Sequence, residues 1–118
     1  MSSLDPNGPA LSAIETPALV IDLALLDANI ERMQASARGA GVSLRPHAKT
    51  HKCPDIARRQ RRAGAIGIAC ATLREAEDMA AAGISDLLIT SPLVGPDKID
   101  RVAGLHRRSA IMVVVDHP

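Results

Sequence analysis

The chain has 118 residues, which is enough for one domain and too few for two. Fourteen Lys and Arg residues against thirteen Asp and Glu residues leave a formal net charge of +1, so the chain has no general basic field for nucleic acid. Hydrophobic residues make up 47% of the sequence, which argues against an intrinsically disordered protein. The sequence contains no Phe, Tyr or Trp and therefore lacks the stacking platforms that bind single-stranded nucleic acid.

Membrane and secretion signals are not found either. The longest apolar run, residues 111–115, is far shorter than the roughly 18 residues that a membrane span needs. Residues 1–9 have no basic segment followed by an apolar one, so no signal peptide is predicted. Cys53 and Cys70 are too few for a disulfide scaffold, and we expect a cytoplasmic protein.

In chain order, the sequence begins with a segment rich in Pro, Gly and Ser. Residues 1–15 are therefore predicted to be a disordered leader, and the folded domain is predicted to span residues 16–118. From there, short apolar runs alternate with amphipathic segments. The runs predict strands at residues 18–21, 42–48, 65–71, 86–90 and 111–115.

The segments between these runs contain signals for four helices. Asp22 is suited to cap the first helix, and Pro54 suits the first turn of the second. Thr72 and Glu75 form a capping box that begins the third helix, and Pro96 begins the fourth. The first helix has an apolar stripe with steps of three and four residues, formed by Leu23, Leu26, Ile30, Met33 and Ala37.

The alternation of strand and helix predicts an α/β fold with parallel strands and right-handed crossovers. Such strands form either an open doubly wound sheet or a (β/α) barrel. The β-branched run 111–115 is typical of a strand buried on both faces, but no helix follows to cover it. We therefore expect a partial (β/α) barrel, about half of the whole, whose bare strand edge makes the isolated chain prone to associate.

The segment 45–52 has the residues that fit worst in a buried strand. Alternation along a strand predicts that Arg45, His47 and Lys49 share one face, at the carboxyl end where α/β folds place their active sites. Partial burial beside two cationic groups would lower the pKa of Lys49 and make its amine reactive toward carbonyl groups. The alternative is a solvated loop with three cations in water.

Other interpretations of this region are open. His47, His51 and Cys53 contain metal-ligating atoms, although the flanking prolines disfavour the helix that a His-x3-His site needs. Cys53, at a helix start, is a candidate reactive thiol. A basic cluster is either a nucleic-acid contact or a solvated helix face, and the near-neutral chain favours the solvated face. This cluster consists of Lys52, Arg58, Arg59, Arg61 and Arg62.

Residues 45–54, with the sequence Arg-Pro-His-Ala-Lys-Thr-His-Lys-Cys-Pro, resemble a specific motif of the D-threonine aldolase / D-serine dehydratase family. These are pyridoxal-phosphate enzymes with an alanine-racemase-like N-terminal barrel. Weaker matches occur in the same order at residues 16–23, 71–77, 82–84 and 94–99, so that the resemblance covers residues 16–118.

The resemblance implies that Lys49 is the catalytic lysine that holds pyridoxal phosphate as a Schiff base. His47 and Arg45 are expected as further cofactor-binding residues, whereas Lys52 and Lys98 are poorer candidates. Family members are roughly three times as long as this chain. A divalent metal is therefore expected to be bound by residues outside it, and no metal ligand is assigned within it.

The implied function is a metal-assisted lyase acting on β-hydroxy D-amino acids, of the D-threonine aldolase type, which cleaves its substrate to glycine and an aldehyde. Alternatives are a D-serine dehydratase-like lyase, a racemase or non-catalytic pyridoxal-phosphate protein, and a binding domain without cofactor. We expect a small-molecule D-amino acid substrate, a homodimer at full length, and no nucleic-acid or membrane partner. The 118-residue chain alone is expected to be inactive.

Overall fold

The computed structural model describes residues 10–116, in which two helices precede an alternation of strands and helices. Most of the predicted leader, residues 1–9, lies outside the described residues, and Leu11–Ala13 in its remaining part forms a short 3-10 helix. The elements that follow are α1 (Leu23–Gly39), α2 (Pro54–Arg62), β1 (Ile68–Cys70), α3 (Leu73–Ala81), β2 (Leu87–Ile89), α4 (Pro96–His106) and β3 (Ile111–Val113).

The strands form a parallel sheet in the order β1, β2, β3. Ala69 pairs with Leu88, and Leu88 pairs with Met112, so the three strands are in register at their centres. Helix α3 connects β1 to β2 and helix α4 connects β2 to β3, as parallel strands require. The predicted α/β fold is confirmed as an open, partly barrel-like arrangement of parallel strands.

The hydrophobic core lies between the sheet and helices α3 and α4. Because the sequence has no aromatic residues, this core is aliphatic apart from the sulfur atoms of Cys70 and Met79. Burial of such side chains away from water is the main favourable term in folding. The larger core side chains are those of Ile68, Cys70, Leu73, Met79, Ile84, Leu87, Ile89 and Leu105.

The four predicted helices are confirmed, and they begin where the sequence indicates. Asp22 accepts a hydrogen bond from the first turn of α1 at 3.1 Å, and Pro54 and Pro96 occupy the first turns of α2 and α4. Thr72 caps α3 by accepting a hydrogen bond from the Glu75 N–H at 3.2 Å. None of the helices within residues 10–116 is both long and apolar enough to cross a membrane.

Thr72→Ala is expected to lower the free energy of unfolding by about 1 kcal/mol, because it removes the side-chain acceptor from the start of α3. Thr72→Ser keeps a hydroxyl at the same place and should retain most of the stability. Urea denaturation followed by circular dichroism measures both variants. Equal stability of the alanine and serine variants would contradict the capping role.

The strands predicted at residues 18–21 and 42–48 are wrong as regular strands. Residues 18–21 pair with no other segment in the described part of the chain, and Val20 and Ile21 are exposed. Residues 42–48 run beside β1 but form a single parallel bridge, His47 with Ala69. Pro46 accepts a hydrogen bond through its carbonyl oxygen, but it has no N–H to continue the ladder.

The prediction that residues 111–115 are buried on both faces is also wrong. Met112 is 43% exposed and Val115 is 81% exposed, whereas Ile111 is half-buried against the core. The physical reason is the position of β3 at the end of the strand order, where β2 is its one neighbour among residues 10–116. β-branched residues predict strand conformation correctly here, but burial depends on neighbours that the local sequence does not specify.

Candidate active site

The segment after the His47 bridge turns across the carboxyl end of the sheet. Ala48–Thr50 form a 3-10 turn, and Ala48 is completely buried, which anchors the turn to the core. His47 precedes this turn and accepts a hydrogen bond from the Lys49 N–H through Nδ1 at 3.2 Å. The structure therefore places His47 and Lys49 together at the strand end, where parallel α/β folds bind their ligands.

Arg45 crosses β1 to reach the start of β2. Its guanidinium donates a hydrogen bond to the carbonyl oxygen of Asp86, the residue before β2. Gly67 makes this crossing possible, because a Cβ atom there would lie 1.8 Å from the Arg45 Nη1 and 2.1 Å from the Asp86 carbonyl oxygen. Arg45 and His47 both reach toward β2, as strand alternation predicts, but Arg45 contacts the backbone at the amino end of that strand whereas His47 contacts Thr90 at its carboxyl end.

His47 is held by hydrogen bonds on both ring nitrogens. Its Nε2 lies 3.1 Å from the Thr90 hydroxyl oxygen, and the same hydroxyl donates to the Cys70 carbonyl oxygen at 3.1 Å. Burial and the neighbouring positive charge of Lys49 lower the pKa of His47, while the Glu75 carboxylate opposes this shift. The ring is therefore favoured in its neutral form.

Lys49 is exposed, which corrects the expectation of a partly buried amine. The reason is that Lys49 lies in the 3-10 turn and not on a strand, so strand alternation does not extend to it. The part of the chain that the structure describes places no hydrogen-bond or ion-pair partner on its amine. Its Nζ atom is thus available at the carboxyl edge of the sheet.

The amine of Lys52, by contrast, forms an ion pair. Its Nζ pairs with the carboxylate of Glu75, a residue that is 9% exposed. The other Glu75 oxygen accepts a hydrogen bond from the Ala71 N–H at 2.7 Å. The bond from Lys52, together with that from Ala71, lowers the pKa of Glu75 despite its burial.

Glu75 should make the fold sensitive to acid. Because its pKa is lowered in the folded chain, its contribution to stability is present above its ordinary pKa of 4.5 and is lost as pH falls below it. In Glu75→Gln, the free energy of unfolding is expected to fall less steeply as the pH drops below 4.5. Thermal unfolding at several pH values measures this dependence of stability on pH, which is the slope to be compared. Glu31→Gln, at an exposed carboxylate without an ion pair among residues 10–116, is the control, and equal slopes for both variants would contradict the prediction.

Three residues of this site were not expected from the sequence. The sequence indicates only a capping box at Glu75, and it predicts strands at Thr90 and Gly67 without a further role. The position of Glu75 in the first turn of α3 does not by itself indicate the pair with Lys52. These contacts of all three involve residues 19 to 43 positions away.

The alternative metal ligands His47, His51 and Cys53 do not converge. The His51 Nδ1 accepts a hydrogen bond from the Cys53 N–H at 3.0 Å, just as the His47 Nδ1 accepts from Lys49. Among residues 10–116, no group of three His, Cys, Asp or Glu side chains is placed to hold a metal ion. Of the two thiols, Cys70 is in the core, where burial raises its pKa to about 11.

The basic cluster of the sequence is largely neutralised by acidic partners. Arg59 pairs with Asp27 at 2.7 Å and Arg61 pairs with Asp86 at 3.0 Å. Arg58 pairs with an aspartate in its own helix, and Lys52 with Glu75 as described. These ion pairs favour the interpretation of a solvated helix face held to its neighbours.

Comparison with known proteins identifies the family. Residues 21–118 match the sequence model of the alanine racemase N-terminal domain. The chain is 48% identical over 110 residues to D-threonine aldolase from Arthrobacter sp. This match covers 93% of this chain and 29% of that protein. It is 43% identical over 107 residues to D-threo-3-hydroxyaspartate dehydratase from Delftia sp. strain HT23, covering 90% of this chain and 28% of that protein.

Solved structures give the same result. The chain superimposes on D-threonine aldolase from Filomicrobium marinum with a TM-score of 0.87 and 44% identity, over 91% of this chain and 29% of that one. The chain thus spans less than a third of the length of the relatives it matches. Because the family match covers most of the chain and agrees with the fold, the chain belongs to the alanine racemase N-terminal domain family.

Proposed function

We propose that this chain forms the lysine-bearing part of a pyridoxal-phosphate-dependent, metal-assisted lyase that acts on β-hydroxy D-amino acids. The single observation that carries the proposal is the exposed amine of Lys49 at the carboxyl edge of the parallel strands, with no partner among residues 10–116. The relatives support the substrate class by their names, which are D-threonine aldolase, D-threo-3-hydroxyaspartate dehydratase and 3-hydroxy-D-aspartate aldolase.

The residues present fit the chemistry of the cofactor. Lys49 offers an exposed amine for attachment to an aldehyde, and no other group within residues 10–116 engages it, whereas the Lys52 amine is paired with Glu75. Pyridoxal phosphate, when bound, supplies an electron sink for the Cα of an amino acid. Arg45 and His47 are proposed to line the cofactor, with the His47 ring held neutral.

Lys49 is also proposed to hold and move a proton at Nζ, a role that its amine would serve beside a bound amino acid. A divalent metal would polarise the β-hydroxyl of the substrate, and we place its ligands in the portion of the relatives that this chain does not match. The homodimer and the cytoplasmic location of the whole protein stay predictions.

Among the possible lyases we favour an aldolase of the D-threonine type, because the D-threonine aldolase of Arthrobacter sp is 48% identical to this chain. A dehydratase is the second candidate, since the D-threo-3-hydroxyaspartate dehydratase of Delftia sp. is 43% identical. The two differ in whether the Cα–Cβ bond or the Cβ–oxygen bond breaks. Aldol cleavage releases glycine and an aldehyde, and dehydration releases a keto acid and ammonia.

A chimera tests this function directly. The 110 matched residues of the Arthrobacter D-threonine aldolase would be replaced by the corresponding residues of this chain, and the product assayed with D-threonine, D-serine and 3-hydroxy-D-aspartate. We expect glycine and acetaldehyde from D-threonine, and no product from the chimera with Lys49→Ala. A folded, cofactor-loaded chimera that converts none of these substrates, or a Lys49→Ala chimera that retains activity, would overturn the proposal.

A further inference from the structure

Thr90 lies directly after β2, and two hydrogen bonds hold it to the neighbouring strand. Its N–H donates to the carbonyl oxygen of Cys70 at 2.9 Å, as part of the parallel pairing of β1 with β2. Its hydroxyl donates to the same oxygen at 3.1 Å. The position of the Thr90 hydroxyl is therefore set by the sheet, although the residue itself is exposed.

The partners of each hydrogen bond set a direction of donation that runs from the Lys49 N–H through the His47 ring to Thr90 and on to the Cys70 carbonyl oxygen. A carbonyl oxygen only accepts, so the Thr90 hydroxyl gives its proton to Cys70 and leaves its lone pairs facing His47. The Lys49 N–H only donates, so the His47 Nδ1 is its acceptor and carries no proton. The ring proton of neutral His47 is then on Nε2, from which it is donated to Thr90.

We propose that Thr90 is a positioning residue for Lys49. The Thr90 hydroxyl holds the neutral His47 ring, and that ring fixes the backbone of the 3-10 turn from which the Lys49 side chain projects. This inference rests on the proposed function, in which Lys49 carries the reactive amine. Thr90 acts across the strand ends on a residue 41 positions earlier in the chain, and nothing in its sequence neighbourhood indicates such a role.

The charges around His47 support this arrangement. Burial and the cations Lys49 and Lys52 lower the pKa of His47 below its ordinary 6.5, and the Glu75 carboxylate opposes this shift. Protonation of Nδ1 would place an N–H against the Lys49 N–H and break that bond. Since the folded chain favours the neutral ring, the turn is expected to hold at neutral pH and to loosen only on acidification below pH 6.5.

Hydrogen exchange of the Lys49 amide, measured by NMR on the 118-residue chain, tests the proposal without any cofactor. Thr90→Val keeps the shape of the side chain and removes the hydroxyl. It is expected to lower the protection of the Lys49 amide about fivefold, the effect of losing one ordinary hydrogen bond, while the amide of Met79 in α3 is unchanged. Thr90→Ser should restore the protection.

Ser91→Ala is the matched control, since it removes a neighbouring exposed hydroxyl for which residues 10–116 provide no hydrogen bond. Unchanged Lys49 protection in Thr90→Val, or an equal fall in Ser91→Ala, would overturn the proposal. If Thr90→Val does not fold, long-range nitrogen–proton NMR of the unmodified chain decides: a proton on His47 Nε2 supports the proposal, and a proton on Nδ1 overturns it.

A second readout separates this inference from the proposed function. The rate at which pyridoxal phosphate becomes fixed to Lys49 is measured on the same variants by borohydride trapping. A slower rate in Thr90→Val, restored in Thr90→Ser, supports positioning of the amine, and an unchanged rate despite the loss of amide protection overturns it. Absence of trapping in every variant, with the amide effect present, overturns the proposed function and leaves the His47–Thr90 contact established.

Discussion

Replacing Lys49 with alanine is expected to abolish the covalent capture of pyridoxal phosphate by this chain. Lys49 has an exposed amine without a partner among the described residues, whereas the Lys52 amine is paired with the buried Glu75 carboxylate. An aldehyde adds only to a neutral amine that it can reach. The visible absorbance of the Schiff base and its loss on borohydride reduction measure the capture.

Lys98→Ala is the matched control for this result, because Lys98 is an exposed lysine in the first turn of α4. Its removal should leave the absorbance unchanged. The urea midpoint of each variant shows whether the fold is intact. Full capture by a folded Lys49→Ala chain, or its loss in Lys98→Ala, would contradict the assignment of the reactive amine.

Gly67→Ala is expected to cause the largest loss of stability among conservative changes in the sheet, about 3 kcal/mol of unfolding free energy. A Cβ atom at this position would lie 2.1 Å from the backbone carbonyl oxygen of Asp86, which cannot move without disturbing the start of β2. It would also displace the guanidinium of Arg45. Urea denaturation measures the loss, and the fixation rate of pyridoxal phosphate should fall with it if Arg45 lines the cofactor.

Gly104→Ala is the control for this prediction, since nothing lies within 4 Å of a Cβ atom at Gly104, which is inside α4. Alanine is the better helix former there, and the variant should gain about 0.5–1 kcal/mol. Opposite signs of the two changes are therefore expected. A neutral effect of Gly67→Ala would show that the Arg45 crossing does not need the glycine.

The helices of this chain could be predicted from the sequence because their signals are local. The cap at Thr72, the proline at the start of α2 and the proline at the start of α4 each act within one turn of the helix that they begin. The two predicted strands that are wrong fail for different reasons. Residues 18–21 have apolar residues typical of a strand but pair with no other segment of the described chain. Residues 42–48 lie beside β1, but Pro46 has no N–H to continue the ladder beyond a single bridge.

The candidate site was predictable in part. The motif at residues 45–54 indicated Lys49, and strand alternation correctly placed Arg45 and His47 on one side. The partners of these residues could not be predicted, because Thr90 and Asp86 lie about forty positions further along the chain and meet the site only through the order of the strands. The exposure of Lys49 follows from a turn that the local pattern does not distinguish from a continuing strand.

Mapping the site of pyridoxal phosphate attachment tests the central claim most directly. The whole sequence contains three lysines, Lys49, Lys52 and Lys98, so that one borohydride reduction followed by peptide mass spectrometry separates every lysine candidate. The account predicts the reduced adduct on Lys49 and on neither of the other two. An adduct on Lys52 or Lys98 in its place, or a chain that forms no adduct, would contradict it.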